Sequence, residues 1–125
     1  GVSPGSLVPI LISIIVPMRN AAPFLDECLE SVAQQDLLHD RSRRVEVSVY
    51  NDASTDDSPA MLEGWRPRLE ALGITLTVSG SDPAPKGGGC GFAKNRAVAQ
   101  STGKYLCFLD ADDMMLPKRL TVQLA

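Results

Sequence analysis

The sequence predicts an α/β fold in which helices cover both faces of a mainly parallel sheet. Short apolar runs rich in β-branched residues alternate with helix-like segments in the order β-α-β-α-β-α-β. The connections are short, and parallel strands joined by helices follow right-handed crossovers. We therefore expect three layers, α/β/α, in a Rossmann-like arrangement. The last helix-like segment is cut short at Ala125, so we expect this fold to be incomplete at the C-terminus.

Four strands are predicted from apolar runs, because strands buried on both faces of a parallel sheet are apolar throughout. They cover residues 10–16, 45–50, 74–78 and 105–109. Pro17 ends the first strand in this prediction, since proline cannot donate a hydrogen bond to a neighbouring strand.

Prolines and a capping residue indicate where the helices begin. Pro23, Pro59 and Pro117 each suit the first turn of a helix, and Ser58 is predicted to cap the second helix. Another helix is predicted at residues 92–100. The first helix should pack against the core with apolar side chains that recur at helical spacing, which are Phe24, Leu25, Cys28, Leu29 and Val32.

Composition places the chain among ordinary globular domains. It has 125 residues, a formal net charge of −3 and 44% hydrophobic residues. The acidic balance argues against a nucleic-acid partner, which would need a basic surface. Residues 1–9 are predicted to be a flexible lead-in and residues 10–125 to form one domain. The apolar stretch at residues 7–16 is shorter than the roughly 20 residues that a transmembrane helix needs, so no such segment is expected.

The cysteines predict neither a disulfide framework nor a zinc site. Cys28, Cys90 and Cys107 are odd in number, widely spaced and lack a CxxC pair. Cys28 and Cys107 fall in apolar patterns that favour burial, whereas Cys90 lies in a glycine-rich loop. Reduced thiols, together with the absence of a recognisable signal peptide, favour a cytoplasmic location.

Three polar clusters follow the predicted strands and mark a candidate ligand site. They are residues 18–20, 51–57 and 110–113. Ligands of open parallel sheets bind beyond the carboxyl ends of the strands, so these clusters should meet at one edge. Their coincidence there is more informative than any one of them alone.

Within these clusters, Asp110 and Asp112 are the strongest candidates for binding a metal ion. They follow an apolar strand at a spacing of two, so extended backbone would direct both carboxylates to the same side. Mg²⁺ and Mn²⁺ bind carboxylate oxygens together with substrate phosphates, and such a metal stabilises a diphosphate leaving group. The alternative is a solvated acidic turn.

Other residues near the strand ends have two open interpretations. The Asp52 carboxylate could accept a hydrogen bond from the imide N–H of uracil, or Asn51 and Asp52 could only shape the turn. Arg19, Lys94 and Arg96 could meet phosphate, or could be ordinary surface charges.

Four segments, in this order and spacing, resemble family 2 glycosyltransferases. They are residues 14–20 (IIVPMRN), 51–56 (NDASTD), 93–97 (AKNRA) and 108–113 (FLDADD). The resemblance extends over about residues 12–120. It implies a GT-A fold, a UDP-sugar donor, and Mn²⁺ or Mg²⁺ as cofactor.

Residue roles follow from the resemblance position by position. Asp52 would contact uracil, Asp110 would lie near the ribose and the metal, and Asp112 would bind the metal. The full set implied for the nucleotide sugar is Pro17, Arg19, Asn20, Asp52, Lys94, Asn95, Asp110 and Ala111, with Asp110 and Asp112 for the metal.

The resemblance also implies transfer to an acceptor hydroxyl with inversion. Inverting members use a carboxylate base from the second half of the domain, which has no counterpart here. We therefore expect the chain to hold the donor site, with no catalytic base, and to be inactive alone. Residues 25–29 and 105–110 are similar to animal N-acetylglucosaminyltransferase-like members of the family, which implies GlcNAc as the sugar.

Three other functions remain open on the sequence. A HAD-like phosphatase would use Asp110 as nucleophile and Asp112 as acid, although Met114 stands where Thr or Val is usual. A sugar-nucleotide pyrophosphorylase would need a glycine-rich basic loop after the first strand, which residues 18–22 do not provide. The chain could also be a non-catalytic nucleotide-binding product that self-associates through an exposed sheet edge.

Overall fold

The computed structural model describes residues 9–40, 42–80 and 89–124. Strands and helices alternate within these ranges, as the sequence predicts. They are β1 (Ile10–Met18), α1 (Leu25–Ala33), a short 3-10 helix (Asp36–His39), β2 (Arg44–Asn51), α2 (Ser58–Ala71), β3 (Ile74–Gly80), α3 (Gly89–Gln100), β4 (Tyr105–Phe108) and α4 (Arg119–Leu124).

The described strands form one parallel sheet in the order β3-β2-β1-β4. β1 and β2 occupy its centre, where both faces are covered. β1 is apolar apart from Ser13, as expected for such a strand, whereas β2 alternates Val45, Val47 and Val49 with polar residues. Because every described pair is parallel, the carboxyl ends of β1, β2 and β4 meet at one edge. The expectation of an α/β fold with a parallel sheet is confirmed.

Helices cover both faces of this sheet. Side chains of α1, α2 and α4 pack with Ile14 and Val16 of β1 in the larger apolar cluster. The intervening Ile15 points to the opposite face and packs with Ala93 and Ala97 of α3 and with Tyr50. This alternation along β1 produces the three layers α/β/α.

The prediction that Pro17 ends the first strand is wrong. β1 continues to Met18, and Pro17 pairs in register with Tyr50 of β2. Met18 O faces β2, where it accepts a hydrogen bond from Asp52 N at 2.8 Å. By alternation, the nitrogen of Pro17 faces the β4 side, where pairing ends at Phe108. The missing N–H therefore costs no bond to β2.

The prediction that Ser58 caps α2 with its side chain is also wrong. Its hydroxyl is buried, accepts a hydrogen bond from Ala21 N at 2.8 Å and donates to Asp56. Asp56 Oδ1 instead accepts from Ser58 N at 2.9 Å. Ser58 thus ties the start of α2 to the segment after β1.

For other predictions, the structure differs in where a helix begins or in which side chain is buried. Phe24 was expected to face the core, but it precedes α1 and is 48% exposed. α3 begins at Gly89 rather than at residue 92, and α4 begins at Arg119, two residues after Pro117. Cys28 and Cys107 are buried as predicted.

Several predicted features lie outside the described residues. These are the lead-in apart from Pro9, most of the glycine-rich loop, and the side chain of Cys90. Within the described part of the chain, no helix combines the length and apolar character needed to cross a membrane.

A buried polar network lies under the C-terminal end of α3, and the sequence analysis missed it. Glu46 of β2 is 2% exposed and accepts hydrogen bonds from Ser13 Oγ at 2.6 Å, Thr77 Oγ1 at 2.8 Å and Thr102 N at 2.9 Å. A Cβ on Gly103 would lie 2.5 Å from Ser13 Oγ, so only glycine permits this close approach. The network joins the connection between α3 and β4 to the sheet.

Candidate functional site

A cavity of about 370 Å³ opens at the carboxyl ends of β1, β2 and β4. It is the place where a parallel sheet of this kind binds its ligands. The lining is partly apolar and partly acidic, and comes from Pro17, Met18, Arg19, Asn20, Ala21, Phe24, Asp52, Ala93, Asp110, Ala111 and Asp112.

The structure brings most of the sequence-predicted residues together in this cavity. Arg19 and Asn20 come from the segment after β1, Asp52 from the end of β2, and Asp110 and Asp112 from the segment after β4. Three motifs that are up to 93 residues apart in the chain thus meet because their strands are parallel neighbours. Their roles in binding stay predictions.

Asn20 joins the segments that follow β1 and β2. Its Oδ1 accepts hydrogen bonds from Thr55 N at 2.7 Å and Asp56 N at 3.3 Å, and its own N donates to Ser54 Oγ at 3.0 Å. Its φ of 49° lies in the left-handed region, which asparagine tolerates better than most residues. These contacts indicate that Asn20 shapes the cavity wall.

Asp56 reinforces the same junction from the other side. Its Oδ2 accepts a hydrogen bond from Ala22 N at 3.0 Å, and its Oδ1 accepts from the backbone and hydroxyl of Ser58. The Ser58 hydroxyl is the main cause that holds the pKa of the Asp56 carboxyl below its ordinary value, since hydrogen bonds favour the ionised form. Two loops are therefore fixed as one wall.

We expect Asn20→Gly to destabilise the protein by about 1–2 kcal/mol, because it removes the two backbone bonds that Oδ1 accepts. Glycine tolerates the positive φ, so the change reports on the side chain rather than on backbone strain. Asn20→Asp retains an acceptor oxygen and should cost less. Urea unfolding of both variants measures the difference. Equal losses would contradict this assignment.

Asp52 and Asn51 have separate environments at the end of β2. Asn51 Oδ1 accepts a hydrogen bond from Ser54 N at 3.1 Å, so Asn51 does shape the turn. Asp52 is 5% exposed and yet lines the cavity. Its backbone bond to Met18 extends the pairing of β1 and β2 by one residue and places its side chain at the sheet edge.

Asp110 and Asp112 both line the cavity. The extended backbone on which the spacing argument depended is wrong, because β4 ends at Phe108 and a turn carries both residues. Both are exposed, whereas Ala111 between them is 4% exposed and packs in the core. A turn closed by Asp113 N and Asp110 O at 3.0 Å follows the strand. The buried alanine thus holds two carboxylates at the cavity mouth.

These carboxylates suit a metal that is shared with a ligand. Within the described residues no group of three or more His, Cys, Asp or Glu side chains could hold a metal ion. Mg²⁺ and Mn²⁺ sites of the nucleotide type need only one or two carboxylates, because substrate phosphates and water supply the remaining oxygens. The pair of Asp110 and Asp112 fits that donor set.

Cys28 of α1 lies beneath the acidic segment. Its thiol donates to Asp110 O, with Sγ at 3.7 Å. Burial raises the pKa of this thiol to about 12, and the carboxylates of Asp113, Asp112 and Asp110 contribute to the shift. Without a bound ion the thiol is therefore a neutral packing and hydrogen-bonding group.

Lys94 and Asn95 are not brought into the cavity. Among the described residues of α3, Ala93 lines it, while Lys94 Nζ lies 5.3 Å from the centre of the Phe108 ring and Asn95 is exposed. Each step along a helix turns by about 100°, so the side chains of Lys94 and Asn95 leave α3 in different directions from that of Ala93. Arg96 likewise lies over a neighbouring ring, at 5.1 Å from the centre of Phe92.

Ala21, Phe24 and Ala93 line the cavity although none of them was among the residues predicted for the site. Met18, which also lines it, belongs to the predicted cluster at residues 18–20. Ala21, Phe24 and Ala93 carry no polar group, so residue chemistry alone could not have marked them.

The fold and the cavity define the chain as a parallel α/β domain with a cavity beyond the carboxyl ends of its strands. Residues 13–125 match the model of the family described as Glycosyl transferase family 2. The chain belongs to this family. This assignment supports the glycosyltransferase interpretation over the phosphatase and pyrophosphorylase alternatives.

Curated relatives carry the same segment within longer chains. The chain is 31% identical over 103 residues to the uncharacterised glycosyltransferase EpsJ of Bacillus subtilis, covering 82% of this chain and 26% of EpsJ. It is 35% identical over 101 residues to the poly(ribitol-phosphate) β-N-acetylglucosaminyltransferase TarS of Staphylococcus aureus, covering 81% of this chain and 16% of TarS. The chain thus spans about a quarter or less of these relatives.

Solved structures agree with the GT-A fold. TarS residues 1–349 in complex with UDP-GlcNAc superpose with a TM-score of 0.70 at 30% identity, covering 91% of this chain and 29% of that one. The mannosyltransferase PcManGT of Pyrobaculum calidifontis, in complex with GDP-Man and Mn²⁺, gives 0.67 at 29% identity, with 91% and 32% covered. The two complexes hold different nucleotides, so the base must be tested for this chain.

Proposed function

We propose that this chain forms the donor site of an inverting glycosyltransferase that transfers a sugar from a UDP-sugar to an acceptor hydroxyl. The observation that carries the proposal is the cavity at the strand ends. A nearly buried carboxylate, Asp52, stands on one side of it, and two exposed carboxylates, Asp110 and Asp112, stand on the other. That separation suits a ligand with a base at one end and a metal-bound diphosphate at the other.

In this proposal Asp52 selects the base. A carboxylate accepts a hydrogen bond from the imide N–H of uracil, whereas cytosine offers no such donor at that position. Pro17 and Arg19 line the same cavity, and the guanidinium of Arg19 can pair with phosphate.

Asp110 and Asp112 would hold Mn²⁺ or Mg²⁺. When bound, the ion neutralises the diphosphate and stabilises it as a leaving group. The chain's own contribution is to present the two carboxylates from one short turn at the cavity mouth. Ala111, also implied as a binding residue, contributes by anchoring that turn in the core.

A general base must come from outside this set. Among the described residues that line the cavity, the carboxylates are Asp52, Asp110 and Asp112, and the proposal assigns all three to the donor and the metal. Inversion requires a base that removes the proton of the acceptor hydroxyl on the face opposite the leaving group. We therefore propose that the 125-residue chain is the N-terminal donor half and binds a UDP-sugar without transferring it.

GlcNAc is the sugar that we propose. Support comes from the similarity to TarS, whose name and complex include N-acetylglucosamine, and from the likeness of residues 25–29 and 105–110 to UDP-GlcNAc:βGal β-1,3-N-acetylglucosaminyltransferase-like protein 1. The relative from Bacillus spizizenii, 29% identical, is named a β-glucosyltransferase, so UDP-glucose is the natural competitor in a binding assay.

Thermal unfolding of the purified chain with UDP and Mn²⁺ tests the proposal. A ligand at a hundredfold excess over Kd stabilises the native state by about 2.7 kcal/mol. For a domain of this size that corresponds to a rise in Tm of roughly 10 °C. GDP with Mn²⁺ is the matched control, and UDP with a chelator isolates the contribution of the metal.

We expect the rise with UDP to exceed the rise with GDP and to depend on the metal. A larger rise with GDP would contradict the choice of uracil as the base. A cooperative transition with no rise in either nucleotide would contradict the donor site as a whole. Release of UDP from UDP-GlcNAc with transfer to an acceptor, by this chain alone, would contradict the proposal that the base lies elsewhere.

A further inference from the structure

The segment from Asp110 to Arg119 carries the acidic pair but has little regular structure of its own. α4 begins only at Arg119, and the hydrogen bond from Asp113 N to Asp110 O closes a single turn. Backbone groups in such a segment need partners from elsewhere in the molecule. The structure shows where these partners come from.

Residues of α1, and Asp36 at the start of the short 3-10 helix, supply them. Ser31 Oγ accepts a hydrogen bond from Met115 N at 2.9 Å, and Asp36 N donates to Pro117 O at 2.8 Å. The thiol of Cys28 also donates a hydrogen bond to Asp110 O. Three groups, two on α1 and one beyond its end, therefore hydrogen-bond the backbone of the acidic segment.

Gln35 is the centre of this arrangement. It is 1% exposed, its Nε2 donates to Leu116 O at 2.7 Å, and its Oε1 accepts from Leu120 N at 3.1 Å. Nε2 also donates to Ser31 O at 3.2 Å. A donor and an acceptor are both required here, so neither Glu nor Met could replace both bonds.

We propose that Gln35, assisted by Ser31, is a positioning residue that fixes the segment carrying Asp110 and Asp112 and so determines how tightly the donor site holds its metal. This inference rests on the proposed function. Groups that orient metal ligands typically change metal affinity by about 10- to 100-fold when they are removed. Gln35 acts through the peptide groups of residues 116 and 120 and does not itself touch the ligand.

Gln35→Met tests the inference, because methionine keeps the volume and removes both hydrogen bonds. UDP affinity is measured by calorimetry with and without Mn²⁺, at a temperature well below the Tm of every variant. The ratio of the two affinities is the gain due to the metal. We expect Gln35→Met to reduce this gain about tenfold or more and to leave metal-free UDP affinity unchanged.

Gln100→Met is the matched control. The side-chain amide of Gln100 in α3 also hydrogen-bonds a backbone group. Its Nε2 donates to Val49 O at 2.9 Å and to Ser48 Oγ at 2.9 Å. It lies on the opposite face of the sheet, so its loss should lower Tm without changing the gain due to the metal. A merely structural role for Gln35 would make the two variants behave alike.

Ser31 provides a second pair of variants in case Gln35→Met does not fold. Ser31→Ala removes the acceptor for Met115 N, and Ser31→Thr retains a hydroxyl. We expect Ser31→Ala to lose part of the gain due to the metal, Ser31→Thr to restore it, and hydrogen exchange to accelerate at residues 110–116 in Ser31→Ala and Gln35→Met only.

The outcomes separate the two ideas. An unchanged gain in Gln35→Met and Ser31→Ala would overturn the positioning role while leaving the donor site intact. A wild-type chain that binds UDP equally with and without Mn²⁺ would overturn the metal site and, with it, this inference. A parallel loss in Gln100→Met would also overturn it.

Discussion

Asp112→Ala is expected to remove the metal-dependent part of UDP binding, a loss of about 100-fold or more, since it deletes a proposed ligand rather than a group that orients one. Asp112 lines the cavity and is exposed, so its removal should leave the fold intact. Calorimetric titration of UDP with and without Mn²⁺ measures the loss. Binding without metal should be unaffected, because it depends on the Asp52 side of the cavity.

Asp113→Ala is the control for charge. Asp113 is also an exposed carboxylate, one residue away, but it does not line the cavity and accepts a hydrogen bond from Met114 N at 2.8 Å. A general effect of negative charge on Mn²⁺ would weaken binding similarly in both variants. If Asp112→Ala keeps the full gain due to the metal, Asp112 is not a ligand.

Glu46→Ala is expected to be among the most destabilising single changes in the sheet. Ser13 would lose the acceptor of a buried hydrogen bond, and Thr77 and Thr102 would lose the acceptors of partly buried ones. Unsatisfied buried polar groups cost about 1–3 kcal/mol each, so we expect a loss of about 3 kcal/mol or more. For a domain of this size the corresponding fall in Tm is roughly 10 °C. Urea unfolding and a thermal melt measure it.

Two further variants test whether the loss of stability in Glu46→Ala comes from the hydrogen-bond network. Glu46→Gln keeps the shape and one acceptor oxygen, so it should lose less stability than Glu46→Ala. Glu27 of α1 is exposed, and Glu27→Ala should change stability by about 1 kcal/mol or less. Comparable losses in Glu46→Ala and Glu27→Ala would show that the buried network contributes little.

The sequence predicted the fold class because apolar periodicity reports directly on burial. β1 is apolar except for Ser13, β2 alternates valines with polar residues, and both lie at the centre of the sheet. The buried face of α1 includes Leu25, Cys28, Leu29 and Val32. The site edge was predictable for a related reason. In a parallel sheet all carboxyl ends meet, so the polar residues after β1, β2 and β4 had to converge.

Roles within the cavity were less predictable, since they depend on side-chain direction. Asn20 and Lys94 both belong to family-like motifs, but Asn20 hydrogen-bonds the neighbouring loop and Lys94 lies over Phe108. Pro17 looked like a strand terminator, and it continues the strand because its nitrogen faces the side where pairing has ended. None of these directions is encoded in local spacing.

The sequence by itself determined the alternation of strands and helices, the parallel sheet and the edge at which the acidic residues gather, because hydrophobic periodicity and chain order are properties of neighbouring residues. Only the tertiary structure decided that Glu46 and Gln35 are buried polar centres. The partners that hold them are 31 to 85 residues away along the chain, and a polar side chain becomes a buried anchor only when the fold brings such partners to it.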